Sequence, residues 1–136
     1  MRRLLAYALL LAACSGEREP PAPIAGRLAG TGSEGRYRFE LVLDPPAPRL
    51  GERFAVETRI YDASGAPADA EVRLDATMPE HGHGMQTVPS HERVGIGTWR
   101  SEGLRFHMPG SWAFQIHAKG TAAEDTIDLR FEQPPR

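Results

Sequence analysis

Two imidazoles and two thioethers fall within eight positions, in the run Met78-Pro79-Glu80-His81-Gly82-His83-Gly84-Met85. Three of the chain's five histidines lie between positions 81 and 91. Thioether favours Cu(I) and imidazole serves both copper oxidation states, so the ligand set suits copper. Zinc fits less well, because it takes thiolates or carboxylates beside histidine and seldom methionine. A glycine beside each histidine relaxes the backbone, so two rings two residues apart could face one ion. The competing reading is structural: Gly82 and Gly84 make a tight turn, the histidines bond backbone and the methionines fill core gaps. Met78 continues the apolar face of the residues before it and is read as core. His81, His83 and Met85 are read as ligands of a copper ion.

A second stretch could add to them. In Phe106-His107-Met108-Pro109-Gly110, a regular strand would put His107 and Met108 on opposite faces. Met108 shares its face with Leu104 and Phe106, so packing alone explains it. It becomes the fourth metal ligand if this strand end lies beside the histidine loop. His117 alternates with Gln115 and Ala113 and is read as solvent-facing. His91, in Pro89-Ser90-His91-Glu92, is read as an exposed loop residue.

Other chemistries find little support. Glu80 could act as a base, but nothing marks a nucleophile, a phosphate-binding loop or a cofactor fingerprint, so no enzyme is expected. Basic and acidic residues are interspersed and there is no basic patch, which argues against nucleic acid. The single cysteine, Cys14, stands at the end of a leader. Met1-Arg2-Arg3 is followed by apolar residues to Ala13, too short a run to span a bilayer as a helix. A positive start, a short apolar stretch and small residues at its end fit an export signal over residues 1–13. Leu11-Ala12-Ala13-Cys14 resembles the bacterial lipobox, which implies lipid on the cysteine and cleavage before it. Ser15 follows instead of Asp, which by the same resemblance directs the protein to the outer membrane, facing the periplasm. Loss of Arg2 and Arg3 with the leader takes the formal charge from −2 to about −4. With Cys14 carrying lipid, any soft-metal site must be built from histidine and methionine.

These residues need a scaffold. Residues 14–35 are rich in Gly, Pro and Ala and read as a flexible tether after the lipid. Residues 36–133 read as one folded head. Tyr37, Phe39, Leu41 and Leu43 alternate with polar neighbours. So do Phe54, Val56, Thr58 and Ile60, then Val72, Leu74, Ala76 and Met78. Ile96 to Trp99, then Leu104, Phe106 and Met108, then Trp112, Phe114 and Ile116, then Ile127, Leu129 and Phe131 follow. Period-two alternation marks strands with one buried face. Turn signals stand between them, among them Asp62-Ala63-Ser64-Gly65 and Ser101-Glu102-Gly103. About seven short strands and no long helical period predict an all-β, antiparallel β-sandwich, immunoglobulin-like in outline, with a small β-barrel as the alternative.

The histidine run, then Gly95 to Trp99, then Gly103-Leu104-Arg105-Phe106-His107-Met108-Pro109-Gly110-Ser111-Trp112, resembles the YtkA-like domain family, which is similar to FixH-like proteins. The resemblance covers essentially the whole head. It implies an immunoglobulin-like sandwich outside the cytoplasm, often in a copper-handling or respiratory-oxidase setting. FixH-like members carry a transmembrane anchor, where this chain would use lipid. Two functions follow as expectations. One is a copper-binding envelope lipoprotein acting as chaperone, buffer or resistance factor, with a membrane or copper-protein partner. The other is a metal-free interaction module serving a membrane partner.

Overall fold

The computed structural model describes residues 24–136. The expected leader, the lipidation at Cys14 and the first part of the tether lie outside the described residues. Nine strands follow in order: β1 Arg27–Thr31, β2 Arg38–Asp44, β3 Arg53–Tyr61, β4 Ala70–Met78, β5 His83–Gly84, β6 Ser90–Gly95, β7 Thr98–Arg105, β8 Gly110–Gly120 and β9 Glu124–Gln133. They form a five-stranded sheet, β1-β2-β3-β7-β6, and a four-stranded sheet, β5-β4-β8-β9, with every pairing antiparallel. This is the expected β-sandwich, and the barrel alternative is set aside. Among the described residues no helix is long and apolar enough to cross a membrane.

The alternating residues do what their period requires. Phe39, Leu41, Leu43, Val56 and Ile60 of one sheet meet Val72, Leu74, Ala76, Phe114 and Ile116 of the other. Their polar neighbours face outward along β2 and β4. The Trp99 indole N–H of β7 donates to the Ala70 carbonyl of β4 at 2.8 Å and joins the two sheets at one end. At the other end an aromatic cluster closes the core. Phe106 stacks on Trp112 with centroids 4.7 Å apart and tilts against Phe54 at 4.8 Å. Burying a side chain such as Phe106 contributes about 2–3 kcal/mol.

Three local readings need correction. The tether is expected to run through Gly35, yet β1 already pairs with β2 from Arg27. Its glycines serve close approach instead of flexibility. A Cβ on Gly30 would meet the Ile127 side chain at 2.6 Å, and one on Gly32 would overlap the Asp125 carboxyl group. The expected strand from Ile96 to Trp99 is broken by a turn at Ile96 and Gly97, with Gly97 at φ +63°. The expected turn at Ser101-Glu102-Gly103 is continuous strand. There Phe54 pairs with Leu104 and Ala55 with Glu102, so Gly103, at φ +84°, is the extra residue of a β-bulge.

Candidate functional site

The histidine run is a hairpin. After β4, residues 79–82 form the loop, and the Met78 carbonyl accepts from the amides of both His81 and Gly82 at 3.0 Å. Gly82 sits at φ +68°, a conformation that costs glycine little. The chain then pairs back, with His83 opposite Met78 and Gly84 opposite Thr77. Side chains directly opposite share a face of the sheet. Met78 is buried in the core, so His83 takes the inner face, at the mouth of the sandwich. His81 stays at the exposed turn.

A second element brings a ring to meet it. β7 ends at Arg105, Phe106 turns into the core, and residues 106–109 cross to β8. The Trp112 indole N–H donates to the Met108 carbonyl at 3.0 Å and fixes this crossing. The Phe106 carbonyl accepts from the Gly51 amide at 2.8 Å. The Met78 methyl lies 3.0 Å from where a Gly110 Cβ would stand, so Met78 is packed core, as the sequence suggests.

The outcome is a row of rings. His83 is in the middle, 5.8 Å from His81 and 5.2 Å from His107, centroid to centroid. Trp112 lies beneath, edge-on to His83 at 6.1 Å and to His107 at 5.4 Å. Met85 and Met108 are half-buried and pack against the same core, and the Met85 amide donates to the Ala76 carbonyl at 3.2 Å. Among the described residues, no three His, Cys, Asp or Glu side chains are grouped to hold a metal ion. The arrangement is a pair of imidazoles with a third at the rim and thioethers on the same core.

The ring nitrogens differ in state. His83 Nδ1 is 3.1 Å from the Gly84 carbonyl oxygen. A carbonyl only accepts, so this nitrogen carries the proton, and in the neutral ring it is Nε2 that has the free lone pair. His107 Nδ1 is buried with no hydrogen-bond partner, an arrangement that buried polar atoms seldom tolerate. Desolvation, then the nearby His83 and the charge of Arg105, hold His107 below the usual histidine range, so its ring is neutral at neutral pH.

His107 is therefore the residue that sequence reasoning assigned to the wrong side. The parity argument assumed a regular strand through Met108, but β7 stops at Arg105. The signal that could have found it is the repeated pairing of His with Met near a Pro-Gly bend. The two other histidines lie elsewhere. His91 is on β6, half-buried, with Nδ1 2.8 Å from Ser101 Oγ, which corrects its reading as a loop residue. His117 pairs with Glu124 on the outer side of the β8–β9 ladder.

Residues 33–117 match a family model described as YtkA-like. No curated protein matches. Among solved structures the chain is similar to one described as the ZirS C-terminal domain, with 12% identity over 96% of this chain and 86% of that one, at a TM-score of 0.41.

Proposed function

The chain belongs to the YtkA-like family, and we propose that its head binds copper as cargo, between His83 and His107. One observation carries the reading: two imidazoles, one on β5 and one on the β7–β8 crossing, stand 5.2 Å apart, and one presents a buried nitrogen without a partner. With a metal–nitrogen bond of about 2 Å and about 1 Å from nitrogen to ring centre, two rings on one ion have centroids about 5–6 Å apart. Both His83–His107 and His81–His83 fall in that range. Met85 and Met108 offer thioethers at the same end, which favours Cu(I). Trp112 and Phe106 form a dry floor that strengthens any charge interaction above it.

The role is a binding one without catalysis: a chaperone, buffer or resistance factor. Lipid on Cys14 would hold the head at the periplasmic side of the outer membrane, and labelled palmitate should enter the wild type but not Cys14→Ser. Copper titration of the full chain decides the metal reading. The wild type should take one Cu(I), and His83→Ala/His107→Ala should lose it. Unchanged stoichiometry and affinity in that variant would reject the site. The metal-free interaction module has one observation in its favour, the lack of a grouped set of three His, Cys, Asp or Glu side chains among the described residues. A chain that stays metal-free under copper challenge would establish it.

A further inference from the structure

The outer face of the five-stranded sheet carries an uncompensated charge pair beside the histidine end. Arg53 of β3 and Arg105 of β7 stand directly opposite each other in the ladder. Like charges so placed weaken a sheet. Among the described residues neither guanidinium lies within ion-pair distance of a carboxylate. The Nε–H of Arg105 is buried and has no hydrogen-bond partner, and a charged donor kept dry and unpaired is costly. The bulge at Gly103 leaves bare backbone at this spot. The point where its Cβ would stand is 3.8 Å from Arg53 Nη1 and 4.0 Å from the Val88 carbonyl oxygen. Two guanidiniums without a carboxylate partner thus stand beside an open backbone step. Arg105 is two residues from His107 in the chain.

We infer that this patch docks a carboxylate-rich surface of a partner protein, the one that gives or receives the ion held at His83 and His107. The inference rests on the copper reading only for what the partner exchanges. Guanidinium takes carboxylate in a two-pronged, directional pair, which a local couple of arginines supplies well. A lipid surface is the poorer match, since membrane-binding segments gather about four to eight basic residues, and this chain carries a net charge of −2.

The test uses the full chain, metal-free and copper-loaded. It is titrated with a glutamate-rich peptide containing methionine, with inorganic phosphate, and with phosphatidylglycerol vesicles. The backbone amide resonances of Arg53, Gly103 and Arg105 should shift with the peptide, and affinity should fall as salt rises. Arg53→Gln/Arg105→Gln should weaken peptide binding at least about tenfold. The same variant should melt at the same temperature or higher, because a repulsion is gone. The His83→Ala/His107→Ala chain should lose copper yet still bind peptide when metal-free. Peptide binding in a wild type that takes no copper would remove the metal reading and leave the patch standing. Peptide binding untouched by the glutamine variant would overturn the inference. So would a lower melting temperature in that variant, which would make the arginines structural. Equal binding of phosphate or vesicles at these residues would also overturn it, as a general oxyanion or lipid site.

Discussion

Asp125→Ala should unfasten the start of the sandwich. The Asp125 side chain is 2% exposed. Its carboxylate accepts from four backbone amides: Glu34 at 2.8 Å, Arg36 at 2.7 Å, Tyr37 at 3.0 Å and Thr126 at 2.9 Å. Three of these belong to the segment joining β1 to β2, so one side chain of β9 holds that segment down. Removing it strands the buried Tyr37 amide outright and leaves the others to water. A buried unpaired group costs about 1–3 kcal/mol and a hydrogen bond to a charged group contributes about 1.5–3 kcal/mol, so a net loss of about 3 kcal/mol is expected. For a domain of about 100 residues each kcal/mol moves Tm by about 4–8 °C, which gives a drop of about 15 °C. Burial by itself would raise the Asp125 pKa, but the amides of Glu34, Tyr37, Arg36 and Thr126 outweigh it and hold it below the ordinary value. A depressed folded pKa means that the stabilisation is complete above the unfolded value, about 3.9, and is lost as pH falls through the folded one. The gap between wild type and Asp125→Ala should therefore be full at neutral pH and shrink in acid below that window. Urea unfolding followed by tryptophan fluorescence measures both, and hydrogen exchange at Glu34, Arg36 and Tyr37 localises the effect. A loss under about 1 kcal/mol at neutral pH, or a gap that does not change in acid, would refute the clasp.

Three further outcomes follow from the same contacts. Gly32→Ala should cost about 2–3 kcal/mol in chemical unfolding, because its Cβ would overlap a carboxyl group pinned by four amides and unable to move aside. Trp112→Phe should cost about 1–3 kcal/mol and loosen the crossing at Met108, seen as faster exchange of the Met108 and Gly110 amides, since the indole donor to the Met108 carbonyl is gone. Copper affinity should hold through neutral pH and fall in acid as protons compete with the ion for the two imidazoles, and the depressed pKa of His107 keeps its lone pair available below the usual histidine range. A copper titration repeated across pH checks this, and affinity that halves already above neutral pH would count against His107 as a ligand.

Much of the scaffold was legible because burial imposes a period of two on β2, β3, β4, β8 and β9. The inward residues Phe39, Val56, Leu74, Phe114 and Ile116 are those the alternation marks. What escaped was local. β1 carries no large alternating side chains, and its glycines read as slack, although Gly30 and Gly32 are there because Ile127 and Asp125 leave no room for a Cβ. Gly97 and Gly103 carry the same type of signal, yet one makes a turn and the other a bulge, a difference that pairing partners decide. At the site, Met78 as core and the exposed His81 loop were readable from pattern. His107 was not, because its placement depends on where β7 stops and on the bond from the Trp112 indole to the Met108 carbonyl. The Asp125 clasp was likewise invisible, because three of its four bonds go to backbone about ninety residues away in sequence.

The most direct test of the central claim is the ring-nitrogen spectrum of the histidines in the full chain as Cu(I) is added. His83 Nε2 and a ring nitrogen of His107 should shift together and saturate at one equivalent, while His83 Nδ1 keeps its proton on the Gly84 carbonyl. Shifts confined to His81, His91 or His117, or His83 and His107 responding at different equivalents, would contradict a shared ion.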